Sequence, residues 1–246
     1  MELLAQQKYL RQRMQPAHGD TFYLHLADLR GALAAIASKD PIRVLDFGCG
    51  GSPYRQLFPA AEYRRADLAG QDAIDYVIAA DSHIDAPDGY FDLILSSQVL
   101  EHVTSPAAYL AECSRLLKPG GMLACSTHGT FEDHACPDDY WRWTADGLFK
   151  AMTASGFTVE KHYKITAGPR ALFFLMERML VSAKAPWWSL LGLCLRPLRW
   201  LFKHQRRYLH KMNDQLFSQY SRLERADDDG RQVYYIALLS LARKPG

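Results

Sequence analysis

A short apolar strand that runs directly into a glycine turn is the feature that most constrains this chain. Residues 42–45 are apolar or strand-forming and are followed by Asp46-Phe47-Gly48-Cys49-Gly50-Gly51. Glycine adopts the left-handed dihedrals of a tight turn and lets backbone N–H groups approach a ligand closely. The pattern predicts a buried first strand whose carboxyl end carries a ligand-binding turn.

Further strand-like and helical segments alternate along the chain. Apolar runs typical of strands lie at residues 76–79, 91–95, 122–125, 158–163 and 233–241, with helical patterns at 106–117 and 145–155. Strands that alternate with helices indicate a parallel sheet covered on both faces. We therefore predict an α/β, Rossmann-like fold with a mostly parallel seven-stranded sheet, helices on both faces, and a helical insertion before the last strand.

The domain organisation follows from one long interruption of this rhythm. About 65 residues separate the last two predicted strands, whereas ordinary connections have about 2 to 6 residues. We predict an N-terminal helical cover over residues 1–40, a cofactor-binding core over 41–165, a basic, tryptophan-bearing helical insertion over 166–230, and the final core strand over 231–246. Pro186 and Pro197 are expected to divide the insertion into short helices.

Two acids follow later strands in positions where they could bind a nucleoside. Asp67 comes about 20 residues after Asp46, where an acid at the end of a second strand can accept both ribose hydroxyls. Asp81 ends the next predicted strand and could meet an adenine edge. A nicotinamide enzyme would share these features, but its fingerprint requires a third glycine where this chain has Pro53. The nicotinamide alternative is therefore weakened.

Three motifs in order resemble those of class I S-adenosylmethionine-dependent methyltransferases. The segment Val44-Leu45-Asp46-Phe47-Gly48-Cys49-Gly50 resembles the first motif of this family. The segment that begins Phe91-Asp92-Leu93-Ile94-Leu95-Ser96-Ser97 and continues Gln98-Val99-Leu100-Glu101-His102-Val103 resembles its fourth motif. Leu116-Leu117-Lys118-Pro119-Gly120-Gly121 resembles the turn into its fifth strand. The resemblance implies an enzyme with S-adenosylmethionine as cofactor.

Carried over residue by residue, the resemblance implies a cofactor site from several strand ends. The methionine part would lie against Asp46, Phe47, Gly48, Cys49 and Gly50, the ribose against Asp67 and Leu68, the adenine against Asp81 and Ser82, and the sulfonium against Ser97 and Gln98. The chain departs from the family at Ser52, where a third glycine is common.

Polar and aromatic residues in the loop 128–144 are candidates for contact with the acceptor. His134 could act as a general base with Asp139 as its orienting partner, while Tyr140 and Arg142 could bind a sugar or an anionic group. The alternative is that this loop only packs against the core. A metal site at His128, His134 and Cys136 lacks dependable ligand spacing, so no metal is predicted.

The same loop carries a second resemblance. Its pattern matches that of bacterial methyltransferases associated with cell-surface polysaccharide synthesis at His134, Pro137, Asp139, Tyr140, Arg142, Thr144, Gly147 and Leu148. We therefore expect methyl transfer to a small-molecule acceptor, with a saccharide or lipid-linked precursor as the first hypothesis. Methylation of RNA or of a quinone-like lipid, and a catalytically idle membrane-associated binding module, remain the alternatives.

The predicted insertion concentrates positive charge. Residues 178–213 contain no acidic residue and eight basic ones: Arg178, Lys184, Arg196, Arg199, Lys203, Arg206, Arg207 and Lys211. Interleaved tryptophans and leucines would suit a peripheral contact with a membrane interface. A helical lid or the arm of a homodimer is the alternative. The net charge of the whole chain is only +2, so nucleic-acid binding is not favoured.

Cysteine usage and hydropathy bear on the compartment. Five scattered cysteines, an odd number, argue against a disulfide framework. The N-terminus lacks a basic-then-apolar signal pattern, and no run of about 18 apolar residues is present. We expect a cytoplasmic protein, with peripheral association at the inner face of the membrane as an extension of that prediction.

Overall fold

The computed structural model describes residues 2–71, 73–182, 190–225 and 233–246. These residues form a single eight-stranded sheet. Its strands are β1 (Arg43–Phe47), β2 (Glu62–Asp67), β3 (Tyr76–Val77), β4 (Phe91–Ser97), β5 (Leu117–His128), β6 (Thr158–Ala167), β7 (Arg222–Glu224) and β8 (Tyr235–Arg243). The helices are α1 (Glu2–Met14), α2 (Tyr23–Ala34), α3 (Pro106–Leu116), α4 (Ala145–Ala154), α5 (Gly168–Ser182), α6 (Leu190–His204) and α7 (Arg206–Phe217).

The strand order is β3-β2-β1-β4-β5-β8-β6-β7. The pairs from β3 to β5 are all parallel, whereas β8 runs antiparallel to both β5 and β6. This arrangement confirms the predicted Rossmann-like α/β fold. Because the order reverses at β1 and β4, their carboxyl ends open onto a crevice, which is where open α/β sheets bind ligands.

The sheet has eight strands, so the prediction of seven strands is corrected. The additional strand is β7, whose three residues pair antiparallel with β6, Tyr163 opposite Glu224. A three-residue strand of sequence Arg-Leu-Glu has no apolar alternation to reveal it. It exists because β6 extends to Ala167 and offers an edge for pairing.

Two hydrophobic clusters cover the opposite faces of the sheet. Successive residues of β1 divide between them, because side chains alternate across a strand. Leu45 belongs to the cluster that contains residues of α3 and α4, and Val44 to the cluster that contains residues of α2. The side chains of Ser105 and Thr144 accept the capping hydrogen bonds at the starts of α3 and α4.

Helices α5, α6 and α7 occupy the predicted insertion. Helix α6 continues through Pro197, so the expectation of a break at that residue was wrong. Trp187, Trp188 and Pro186, which the sequence analysis also singled out, lie outside the described residues. Among the described helices, none is both long and apolar enough to cross a membrane.

Candidate active site

A cavity of about 460 Å³ opens at the carboxyl ends of the parallel strands. Its walls come from the turn after β1, the ends of β2, β4 and β5, the loop after β5, and the N-terminal helices α1 and α2. Its volume lies within the range of small-molecule sites, about 300 to 1,000 Å³. The strand order therefore gathers residues from distant parts of the sequence around one potential ligand.

The glycine turn forms one wall of the cavity. Gly48 and Gly50 have φ angles of +79° and +51°, in the left-handed region that favours glycine. A Cβ on Gly48 would lie 2.5 Å from Cγ2 of Val99, so no larger residue fits there. Ser52, where the resemblance implies a glycine, also has a positive φ of 56°, a conformation that glycine adopts more readily than serine.

Asp67 connects the glycine turn to the end of β2. Its Oδ2 accepts a hydrogen bond from the backbone N–H of Gly50 at 2.7 Å, and its Oδ1 accepts one from the N–H of Leu68 at 2.8 Å. The carboxylate lines the cavity and retains further lone pairs. It can therefore accept hydroxyl groups of a bound sugar while holding the turn in place.

Asp46 is a buried acid near the end of β1, next to the glycine turn. Its side chain lines the cavity although the residue is only 3% exposed, and the hydroxyl of Tyr63 donates to its Oδ2 at 2.8 Å. Burial raises the pKa of Asp46 to about 7, against the lowering effect of the Tyr63 hydrogen bond. A cationic ligand in the cavity would favour the ionised form.

Most of the predicted cofactor residues line this one cavity: Asp46, Gly48, Cys49, Gly50, Asp67, Leu68, Ser82, Ser97 and Gln98. Phe47 and Asp81 are not among the lining residues. Phe47 is fully buried and stacks on Tyr109 with ring centroids 4.7 Å apart. Asp81 is exposed and accepts the backbone N–H of His83 at 3.1 Å, so it stabilises its own turn. Their predicted cofactor contacts remain predictions.

The predicted substrate residues Tyr140 and Arg142 are also outside the cavity lining. Tyr140 is half exposed. Arg142 forms two hydrogen bonds of 2.6 Å to the carboxylate of Asp139 and donates to the carbonyl oxygens of Phe131, Glu132 and Trp141. The hydrogen-bond donors of the guanidinium group are therefore occupied by acceptors of the same loop. The structure therefore places Arg142 where the alternative reading expected it, as a residue that packs and holds the loop.

His134 does line the cavity, and Asp139, which is not among the lining residues, contacts it. The backbone N–H of His134 donates to Oδ2 of Asp139 at 2.8 Å, and its Nδ1 lies 3.6 Å from the same oxygen. Arg142 holds the pKa of Asp139 well below its usual range, so this carboxylate is ionised. The predicted base and its predicted orienting partner are thus adjacent.

Further histidines and a buried acid surround His134, and none of them was predicted to bind a ligand. The rings of His102 and His128 each lie 4.9 Å from the His134 ring, and His25 of α2 lies 5.5 Å from His128. Glu101 is completely buried beside them, and burial raises its pKa to about 7. Glu101 and His102 stand inside the fourth motif, but only the fold brings them to His134.

Helix α1 closes the cavity with Tyr9 and Arg13. The Arg13 guanidinium lies over the Tyr9 ring, 3.6 Å from its centroid, and a Cβ on Gly50 would lie 3.2 Å from the Tyr9 hydroxyl. Burial raises the pKa of Tyr9. A helical cover was predicted from the sequence, but Tyr9 and Arg13 were not predicted to line the site, because neither residue belongs to a motif.

Comparison with known proteins places this geometry among methyltransferases. Residues 19–162 match a family model described as a methyltransferase domain. A ubiquinone biosynthesis O-methyltransferase from Cereibacter sphaeroides (strain KD131 / KCTC 12085) is 38% identical over 112 residues, which cover 39% of this chain and 44% of that relative. The chain thus aligns with less than half the length of this relative.

Solved structures share the fold at low sequence identity. The [4+2]-cyclase SpnF has a TM-score of 0.54 and 17% identity, with 99% of this chain and 92% of that chain covered. An S-adenosylmethionine-dependent methyltransferase from Mesorhizobium loti has a TM-score of 0.51 and 17% identity, with 92% and 99% covered. At this identity the likeness establishes the fold alone.

Proposed function

This chain belongs to the methyltransferase domain family, and from that premise we propose that it transfers a methyl group from S-adenosylmethionine to a hydroxyl oxygen of a small acceptor. The family match confirms the predicted S-adenosylmethionine-dependent methyltransferase class. Because one structure of this fold is named for a cyclisation, the fold by itself does not determine the reaction. The observation that carries the proposal is the glycine turn with Asp67.

The residues present fit the cofactor. Gly48 and Gly50 line the cavity with backbone alone, and the side-chain oxygen of Gln98 is buried without a hydrogen-bond partner among the described residues. Asp67 would hold the ribose hydroxyls, and Asp46 would face the cationic part. When bound, S-adenosylmethionine supplies an electrophilic methyl group on a sulfonium sulfur.

The chain's own contribution is to position the acceptor and remove its proton. An in-line displacement depends mainly on holding the acceptor oxygen opposite the methyl group and excluding water. We propose that His134 accepts the hydroxyl proton and that Asp139, itself fixed by Arg142, orients the imidazole. Tyr9 and Arg13 of α1 would exclude water from the other side.

The lining favours an acceptor with a substantial apolar part. Phe22, Leu26, Leu29 and Phe131 contribute apolar surface to the cavity. A lipid-linked saccharide precursor, as the loop pattern suggests, fits this lining. A quinone-like phenolic lipid is the second candidate, and the relatives named ubiquinone biosynthesis O-methyltransferases favour it.

A methyl-transfer assay with defined acceptors tests the proposal. The chain is incubated with S-adenosylmethionine carrying a labelled methyl group and with either lipid-linked saccharides or quinone-like phenols. Label recovered in one of the two acceptor classes identifies the acceptor. The proposal is supported if His134→Ala loses this transfer and still binds the cofactor. Tight cofactor binding without transfer to either class would favour the idle binding module.

The buried carboxylate of Asp46 predicts how cofactor affinity depends on pH. Its pKa of about 7 in the free protein means that much of it is protonated below neutrality. A cationic cofactor binds better to the carboxylate, so affinity should rise from pH 5.5 to 7.5 by up to about tenfold per unit. Calorimetric titration across this range measures it. In Asp46→Asn the rise should disappear, and an unchanged rise would contradict the assignment.

We also propose that residues 178–213, together with the exposed apolar residues of α5, contact an anionic membrane surface. Leu193 and Trp200 are exposed on α6, and Leu172, Met176 and Met179 are exposed at i, i+4 and i+7 of α5. Two of the basic residues are engaged internally, Arg178 with Glu132 and Arg206 with Glu177. Lys203 and Arg207 remain on the surface, so positive charge flanks the apolar side chains.

Vesicle co-sedimentation tests this contact. We expect binding to vesicles that contain anionic phosphatidylglycerol and little binding to neutral phosphatidylcholine, since each surface cation contributes about 1 kcal/mol. Trp200→Ala combined with Lys203→Glu should weaken binding at least about tenfold. Tyr234→Ala, an exposed aromatic outside this region, is the matched control and should have no effect. Equal binding to both vesicle types would refute the proposal.

A further inference from the structure

Three side chains on the inner edge of the cavity present ligand atoms to a common point. Glu101, His102 and His134 each offer one such atom, and these atoms all lie within 4.8 Å of one another. Nε2 of His102 is 3.9 Å from Oε1 of Glu101. Ligand atoms around a tetrahedral zinc ion at about 2.1 Å lie about 3.4 Å apart, so the three side chains would have to move closer together when the ion binds.

Glu101 points an unpaired oxygen into this cluster. Its side chain is 0% exposed, and Oε2 accepts a hydrogen bond from the Thr127 hydroxyl at 2.7 Å. Oε1 has no hydrogen-bond partner among the described residues, although Nε2 of His128 approaches to 3.3 Å. A buried carboxylate oxygen without a partner is costly. A cation at this point would compensate it.

The two histidines are oriented for ligation by their other ring nitrogens. Nδ1 of His102 lies 2.6 Å from the carbonyl oxygen of Asp138, so Nδ1 donates and Nε2 keeps its lone pair. Nδ1 of His134 faces the carbonyl oxygen of Glu132 at 3.3 Å and the Asp139 carboxylate at 3.6 Å. Metal-binding histidines characteristically have such carbonyl or carboxylate partners.

We propose that Glu101, His102 and His134 bind a divalent cation of the Zn²⁺ type. Two imidazoles and one carboxylate are a ligand set that suits zinc and leaves a position open for a further ligand. His102 and His134 line the cavity, so the open position faces the acceptor. This role differs from the sequence-based expectation of no metal, which could not take the fold into account.

The cation would also activate the acceptor of the proposed reaction, and this role alone rests on the proposed function. A hydroxyl oxygen bound to the cation loses its proton more readily, because the cation stabilises the resulting oxyanion. That proton leaves to solvent, because a His134 nitrogen that binds the cation has no lone pair left to accept it. With the cation bound, His134 therefore acts as a ligand and not as the base. The oxygen then forms a bond to the methyl carbon while the carbon–sulfur bond breaks and its electron pair returns to sulfur.

Zn²⁺ alone is the probe for the first test. The chelator-treated full chain is titrated with Zn²⁺ by calorimetry, and its metal content after dialysis is measured by elemental analysis. We expect one equivalent to bind, with His102→Ala and His134→Ala each weakening binding at least about 100-fold. Asp139→Asn, which alters the carboxylate that supports His134 and pairs with Arg142, should weaken it about 10-fold or more. His83→Ala, a surface histidine beside Glu112, is the matched control and should leave binding unchanged.

Two outcomes would overturn the site: no stoichiometric binding, or binding that His102→Ala and His134→Ala leave as tight as in the His83→Ala control. Since Glu101 is buried and its substitution could impair folding, the half-buried His134 carries the decision, with circular dichroism to verify folding. S-adenosylmethionine titrations in the same variants separate the two proposals. Loss of zinc with cofactor binding intact supports the metal site independently of methyl transfer.

Discussion

Asp67→Ala should lower the affinity for S-adenosylmethionine at least about 100-fold. The carboxylate would lose charge-assisted hydrogen bonds to the ribose, each contributing about 1.5 to 3 kcal/mol, and a factor of 10 corresponds to about 1.4 kcal/mol. The substitution also removes the acceptor of the Gly50 N–H at 2.7 Å, so the glycine turn itself should loosen. Calorimetric titration of the wild type and the variant with the cofactor measures the change.

Two further variants make this result specific. Asp85→Ala removes an exposed acid that lies outside the cavity lining and that no motif assigns to the cofactor, and it should change affinity less than about threefold. Gly48→Ala should also abolish binding, because its Cβ would approach Val99 to 2.5 Å at a φ of +79°. If Asp85→Ala weakened binding as much as Asp67→Ala, the assignment of this cavity to the cofactor would be wrong.

Arg170→Met should lower the free energy of unfolding by about 3 to 5 kcal/mol, the range measured when one partner of a buried ion pair is removed. The Arg170 side chain, 3% exposed, binds both oxygens of Asp28 at 2.7 and 2.8 Å. It also donates to Asn213 at 2.7 Å and Asp214 at 2.8 Å. One guanidinium thus joins α5 to α2 and to α7.

Denaturant unfolding followed by circular dichroism measures this loss, with a surface arginine as the control. Arg225 pairs with Asp146 at 2.7 Å, but the two side chains are 42% and 84% exposed. Arg225→Met should therefore cost less than about 1 kcal/mol. Arg170→Lys keeps the charge without the planar fork and should recover only part of the loss. Equal effects at Arg170 and Arg225 would contradict the structural role given to this network.

The part of the fold that carries the cofactor could be predicted because its information is local. The glycine turn, the acid after the second strand and the motif around Ser97 each depend on a few neighbouring residues. The caps of α3 and α4 are local as well, since the side chains of Ser105 and Thr144 each accept a hydrogen bond from the N–H three residues later. By contrast, β7 could not be predicted, because its three residues become a strand only when the edge of β6 is present.

The functions of individual polar side chains were harder to predict, because they too depend on neighbours that are distant in the sequence. Arg142 has the chemistry to bind an anionic substrate, but its neighbours in space, Asp139 and three carbonyl groups, use its donors. Asp81 follows a strand as the family pattern requires, and its carboxylate accepts a hydrogen bond from the backbone N–H of His83. The sequence shows which hydrogen bonds and ion pairs a side chain can form. Only its surroundings in the fold decide which of these it does form.

By itself the sequence determined the methyltransferase family, the Rossmann-like sheet and the glycine turn with Asp46 and Asp67, since these follow from local pattern and backbone sterics. The tertiary structure alone decided that Tyr9 and Arg13 close the cavity and that Glu101, His102 and His134 meet. Their ligand atoms come within 4.8 Å because β4 and β5 pair in parallel and end at the same edge of the sheet. That proximity depends on strand order and register, which no single segment of the sequence encodes.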